Sequence, residues 1–201
     1  MKLYLLLLIG YLVGSVPFAL VIGKVFYKTD VREHGSKNLG GGNTGRVLGK
    51  KAGLAVMTLD ILKVAFVVFL ATLLFDNEAV TACAGLAAAV GHCWPVFARF
   101  KGGKAVATMY GFLFGLFVFA GYSILMFLFP LAVFLLVLKC TKIIALSSIL
   151  SSVASVMFAW LTGASMPVVL ALVAFSVLIV VRHKANLVRM YRRQENKVSW
   201  I

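Results

Sequence analysis

Acidic side chains are scarce in this sequence: six Asp and Glu among 201 residues. That argues against a metal centre built from clustered carboxylates. Cysteine is also sparse. Cys83, Cys93 and Cys140 are widely spaced, form no CxxC pair and suggest no disulfide framework; they read as small buried hydrophobes. No HExxH and no GxSxG occurs. The pairs Gly49-Lys50 and Gly103-Lys104 are not phosphate loops of the GxxxxGK type, because Thr44 and Ala98 stand where the first glycine must be. The HxxxxD pattern of acyl-CoA-type acyltransferases is missing too: Leu39, Phe97 and Val188 follow the three histidines at that spacing.

What is abundant is apolar surface and positive charge. Hydrophobic residues make up 62% of the chain, against about half in soluble domains, and mean hydropathy is +1.03. Twenty Lys and Arg give a net charge of +14. A soluble protein of this charge would suggest a nucleic-acid binder, but too little polar surface exists to cover such a chain in water. The composition therefore indicates an integral membrane protein with no nucleic-acid partner, its charge segregated to one region.

Charge-free runs place the membrane spans, each needing roughly 20 apolar residues. Candidates are residues 3–23, 79–98, 143–161 and 167–181, with 52–75 included although it holds Asp60 and Lys63. The run 105–138 holds no charge. At about 1.5 Å per residue it would be near 51 Å long, too much for one span, so a split at Gly121-Tyr122-Ser123 into a hairpin is expected. The result is an all-α polytopic protein with seven transmembrane helices, read as a single domain over residues 1–201. Eighteen of the twenty basic residues then fall on one side, in segments 24–51, 99–104, 139–142 and from 182 onward. The positive-inside rule puts that side in the cytoplasm and the N-terminus outside. A cleaved signal peptide is the rival for the N-terminus, but the apolar run continues past Pro17 to Ile22 without a convincing cleavage site, which favours a retained span. Gly10 with Gly14, and Gly111 with Gly115, mark close helix packing.

Three basic segments carry more than orientation requires. In the first, residues 35–46, glycines alternate with Ser36, Asn38, Asn43, Thr44 and Arg46; such glycines let successive N–H groups converge on an anion, and Arg46 supplies a bidentate phosphate clamp. The second, residues 91–108, contains Gly102-Gly103-Lys104 immediately before a span, where free N–H groups and the helix dipole favour an anion. The third, residues 182–189, puts His183 and Asn186 on one face if the last helix continues, together with Arg182 and Arg189; on local sequence alone, lipid-headgroup anchoring explains it slightly better. Inside the second span, Asp60 and Lys63 at i, i+3 form either a functional pair or a neutral packing pair that supports the site from beneath. These segments point to a site at the inner interface for a phosphorylated substrate, with an amphiphilic co-substrate entering from lipid. A small anion transporter is the alternative, though its polar groups would be expected near the bilayer midplane.

At these same residues the chain resembles the bacterial acyl-phosphate:glycerol-3-phosphate acyltransferase (PlsY) family. The likeness runs through Gly14-Ser15-Val16-Pro17, the Gly-Ser-x-Asn and Asn-x-x-Arg elements of residues 35–46, the long motif of residues 91–108, Arg-His-x-x-Asn-Leu at 182–187, and Glu195. The resemblance implies a seven-span enzyme of the bacterial inner membrane with its active site at the cytoplasmic face. It would move a fatty acyl group from acyl phosphate to the 1-hydroxyl of glycerol 3-phosphate, releasing lysophosphatidic acid and phosphate, as the first step of phospholipid synthesis, without metal or cofactor. Ser36, Asn43, Arg46, Lys104, His183 and Asn186 match the family's functional positions, with Asn38, Gly102 and Gly103 as further substrate contacts. Lys104 and the amides of Gly102 and Gly103 are expected on the acyl phosphate headgroup; Ser36, Arg46, His183 and Asn186 on glycerol 3-phosphate. Three positions depart from the family pattern: Lys37 and Ala105 replace glycines, and Gly42 replaces a threonine.

Overall fold

The structure, a computed structural model, describes residues 2–198. Among them are ten α-helices and no strand. The first apolar run is broken: α1 (Lys2–Gly14) and α2 (Phe18–Tyr27) are separated at Ser15, Val16 and Pro17, where proline cannot supply an interior helix N–H. A loop leads to the short α3 (Gly41–Leu48), then α4 (Lys50–Leu74) and α5 (Glu78–Cys93), which is followed by a 3-10 turn at Val96–Ala98. The remaining helices are α6 (Val106–Phe119), α7 (Leu125–Thr141), α8 (Ile144–Leu161), α9 (Met166–Arg182) and α10 (Lys184–Tyr191).

The break in the long apolar run falls where the sequence indicated, with Gly121 at φ +74° in the turn between α6 and α7, a conformation glycine adopts without penalty. Four stretches are long and apolar enough to cross a bilayer: Lys2–Tyr27, Lys50–Leu74, Glu78–Ala98 and Ile144–Leu161. Taking α9 with α10 as one bent span makes five. The helices α6 and α7 are apolar but shorter; the 14 residues of α6 reach only about 21 Å. Large apolar side chains such as Leu54, Phe66, Leu136, Leu161 and Leu170 stand exposed around the bundle, as suits a lipid-facing surface and not a water-facing one.

The helix α4 lies at the centre, against α1, α5 and α6. Its Val64, Val67 and Val68 join Leu6, Phe112, Leu172 and Phe175 in the main core. Close approach depends on glycine. A β-carbon at Gly14 would overlap the Ala88 carbonyl, and one at Gly91 the Tyr11 carbonyl, which locks α1 onto α5. Gly111 and Gly115 do the same for α6 against Ile61 and Val68 of α4, so both small-residue pairs have the packing role expected of them. A second, smaller core of Leu20, Val31, Leu39 and Val56 fastens the loop after α2 to the bundle. Polar contacts join the outer helices: Ser151 Oγ and Tyr110 Oη donate to the Pro130 carbonyl at 2.9 and 3.1 Å.

Candidate functional site

Three segments distant in sequence meet at one end of the bundle. The first loop is shaped by its own side chains. Arg32 grips Asp30 in bidentate fashion, Nε at 3.0 Å and Nη2 at 2.7 Å, and this partnership holds the Asp30 carboxyl well below the usual carboxylate range. Asn43 is the loop's internal clamp. Its Oδ1 accepts from the Ser36 N–H at 2.7 Å and the Ser36 hydroxyl at 3.1 Å. Its Nδ2 donates to the carbonyls of Val31 at 2.9 Å and His34 at 3.2 Å. Every strong bond of that amide is therefore used within the loop, and the residue is buried. Asn43, expected as a substrate contact, makes these bonds within the loop and so holds Ser36, which is exposed.

The second segment packs tightly against His92. Gly102 and Gly103 are required for close packing, since a β-carbon on Gly102 would overlap the His92 carbonyl and one on Gly103 the His92 imidazole. The Gly103 N–H, expected on a phosphate, donates in this structure to the His92 carbonyl at 3.0 Å. Both glycine carbonyls are held by Arg182, Nε to Gly103 at 2.9 Å and Nη2 to Gly102 at 3.0 Å, while the guanidinium stacks 5.3 Å from the Trp94 ring centroid. Asn38 Nδ2 reaches the Gly102 carbonyl at 3.4 Å, tying the first loop to the second.

The third segment is not a straight continuation of the last apolar helix. The axis turns by 58° between α9 and α10, with His183 as the joint. The imidazole Nδ1 lies 2.8 Å from the Ile179 carbonyl; a carbonyl only accepts, so Nδ1 carries the proton and Nε2 is the bare nitrogen. Burial, then the charge of Lys104, pushes the His183 pKa down to about 4. Past the joint, Asn186 turns inward and accepts a 2.6 Å bond from Lys104 Nζ. Asn186 Nδ2 donates to Glu195 Oε1 at 2.6 Å, and Arg189 Nε pairs with Glu195 Oε2 at 2.8 Å. The tail that carries Glu195 is anchored beyond it by the Val198 N–H on the Lys142 carbonyl at 2.8 Å.

Lys104, Asn186 and His183 are thus gathered in one place. Burial, followed by the charges of Arg189, Arg46 and Arg182 and against the pull of Glu195, lowers the Lys104 pKa to about 8. Arg46 is exposed on α3 with no hydrogen-bond or ion-pair partner among the described residues; its charge is felt at Lys104. Among the described residues, four cations surround one carboxylate beside a neutral histidine, a site short of negative charge. Arg182 is the member that sequence reasoning left among anchoring residues, although its place in the Arg-His-x-x-Asn element was the available signal.

Two of the three departures from the family pattern also become physical. Lys37 and Ala105 have φ of +58° and +61°, the left-handed region where glycine is favoured. At Gly42 nothing lies within 4 Å of an added β-carbon, so a threonine has room there.

A family model described as glycerol-3-phosphate acyltransferase matches residues 4–193. A glycerol-3-phosphate acyltransferase of Geobacillus kaustophilus is 44% identical over 196 residues, covering 98% of this chain and 96% of the relative. Two solved structures are similar throughout. They are crystal structures of PlsY (YgiH), an integral membrane glycerol 3-phosphate acyltransferase, in its glycerol 3-phosphate form (TM-score 0.91) and its lysophosphatidic acid form (TM-score 0.89). Each is 33% identical and covers 99% of this chain, which in turn covers 96% of it.

Proposed function

Since the chain belongs to the glycerol-3-phosphate acyltransferase family, we propose that it transfers a fatty acyl group from acyl phosphate to the 1-hydroxyl of glycerol 3-phosphate, giving lysophosphatidic acid and inorganic phosphate. The observation that carries this reading is the cation-rich cluster around Lys104 and Asn186, with the bare Nε2 of His183 beside it. A phosphoryl dianion neutralises the excess charge there, and the acyl chain of the donor stays in the lipid.

Acyl phosphate is a mixed anhydride, so its phosphate leaves readily and no acyl-enzyme is needed. The 1-hydroxyl oxygen attacks the acyl carbon, the carbon–oxygen bond to phosphate breaks, and the bonding pair departs with phosphate. Lys104 stabilises the negative charge on that leaving group, with no help from the Gly103 N–H. Ser36, Arg46, Asn186 and His183 hold glycerol 3-phosphate, with Asn43 and Asn38 fixing the first loop. The rate enhancement is positional and electrostatic. A histidine with a pKa of about 4 is a weak base, whereas a phosphate's second pKa lies near 6. The hydroxyl proton therefore passes to the departing phosphate, and His183 Nε2 orients the hydroxyl by accepting its hydrogen bond.

The chain is further read as one domain of seven spans: α1 with α2, then α4, α5, α6, α7, α8 and α9. The N-terminus lies outside and the site at the cytoplasmic face of the inner membrane. The clustering of basic residues in four segments supports that orientation. The short α6 and α7 fit it where flanking residues and local thinning accommodate mismatch. The test is purified protein in detergent, without a gradient, given acyl phosphate and glycerol 3-phosphate. Release of lysophosphatidate is expected. Equal turnover with acyl-CoA would overturn the donor assignment, and no turnover by an intact fold would favour transport.

A further inference from the structure

The reaction above uses none of Asp60, Lys63 and His92, although all three are buried. Lys63 Nζ lies 2.6 Å from Asp60 Oδ1 and 3.1 Å from His92 Nδ1. It also donates to the Val16 carbonyl at 3.0 Å, in the break between α1 and α2. A buried ion pair contributes little net stability compared with well-packed apolar residues, so this arrangement calls for a use beyond stability. The imidazole of His92 is held from behind by α4. Its opposite edge meets the glycine loop. An added β-carbon at Gly103 would overlap Nε2 and come 2.5 Å from Cε1, and the Gly103 N–H is bonded to the His92 carbonyl. The next residue is Lys104, whose ammonium faces Asn186.

We propose, resting on the acyltransferase reading, that His92 is a positioning residue. Its ring, braced by Lys63 and Asp60, is the wall on which Gly103 rests, and the wall sets the height of Lys104 in the site. Arg182 closes the loop from the other side by holding both glycine carbonyls, so the loop has little freedom except against the ring. Lys104 thus owes its place to a network that touches no substrate.

The test is a compensating pair. Gly103→Ala drives a methyl into the imidazole. His92→Asn removes the ring edge while leaving a polar atom within reach of Lys63. The two single variants, the double variant and the wild type are compared in detergent for kcat and for KM of each substrate. Gly103→Ala is expected to lower kcat/KM at least tenfold, mainly through a higher KM for a phosphate-bearing substrate, because the loop carries a phosphate-binding group. Adding His92→Asn should recover at least threefold. An unaffected Gly103→Ala, or a double variant whose defect equals the product of the single defects, overturns the proposal. If Gly103→Ala gives no monodisperse protein, recovery of active monodisperse protein in the double variant supports it, and continued failure overturns it. A wild type that turns over neither substrate would instead overturn the reaction assignment. The coupling between residues 92 and 103 is then read from the melting-temperature shift that inorganic phosphate produces in the same four proteins: loss in Gly103→Ala with recovery in the double variant supports the wall, and additivity removes it.

Discussion

Two clusters of ionisable groups lie close together in this protein and follow opposite rules. Asp60, Lys63 and His92 are enclosed by helices, and the lysine and aspartate charges balance. Lys104, Asn186, Arg189 and Glu195 sit at the bundle's end, where Arg46 and Arg182 add to the positive side and, among the described residues, a single carboxylate opposes them. The inner cluster is closed because an uncompensated charge in an apolar interior is expensive. The outer one keeps an excess of positive charge, which on the proposed reading a substrate phosphate completes. Charge imbalance, more than burial alone, separates the supporting group from the binding group.

The contrast fails most visibly if the inner pair is split. Lys63→Met leaves Asp60 without its counter-charge and should cost about 3–5 kcal/mol, read as a lower melting temperature in detergent. Adding Asp60→Asn should recover most of it. A single variant as stable as the wild type would show that the inner cluster is not closed. Splitting the outer cluster should act on activity instead. Lys104→Ala is expected to lower kcat/KM about a hundredfold, near 2.7 kcal/mol, with melting unchanged or raised because a half-buried cation is removed.

Glu195→Gln is a milder break, about tenfold in kcat/KM, since Asn186 and Arg189 lose their anionic partner. It also sharpens the pH behaviour. Lys104 must be charged to bind phosphate, so kcat/KM of the wild type should fall as pH rises through about 8. Removing the Glu195 charge should move that limb to lower pH, and Lys104→Arg should abolish it. Stability has the opposite sign. The Lys104 pKa is lowered from 10.5 to about 8, so the unfolded chain binds more protons between those values and this group's contribution rises with pH there. His183 itself contributes no acid limb near 6.5, because it is neutral down to about 4; a limb near 6 reports the second ionisation of the substrate phosphates. The smallest effect tests a single backbone angle: Lys37→Gly, at φ +58°, should stabilise by about 0.5–1 kcal/mol, read as a melting shift with kcat/KM within about twofold.

Some of this was legible in the residues alone. The turn at Gly121 could be read because no helix fits 34 charge-free residues across a bilayer, and the Gly10, Gly14, Gly111 and Gly115 interfaces because small residues at that spacing have one common use. The break at residues 15–17 was hidden by apolar sequence on both sides of Pro17. Composition likewise could not show that Gly103 faces an imidazole and not a phosphate, for the same glycine suits either neighbour. Nor does an amide's chemistry reveal which loop carbonyls lie within the reach of Asn43. The bend at His183 depends on where Lys104 and Glu195 pull Asn186, contacts spanning 82 and 9 residues. Glu195 was legible only through its family resemblance; the Lys142 carbonyl that anchors its tail was not legible at all.

That tail has a consequence in time. During synthesis the helices emerge and insert in order, and Glu195 leaves the ribosome after every one of them. Until it does, Asn186 and Arg189 lack the carboxylate that aligns them. A chain with its membrane helices in place but Glu195 not yet docked therefore lacks the carboxylate that aligns Asn186 beside Lys104.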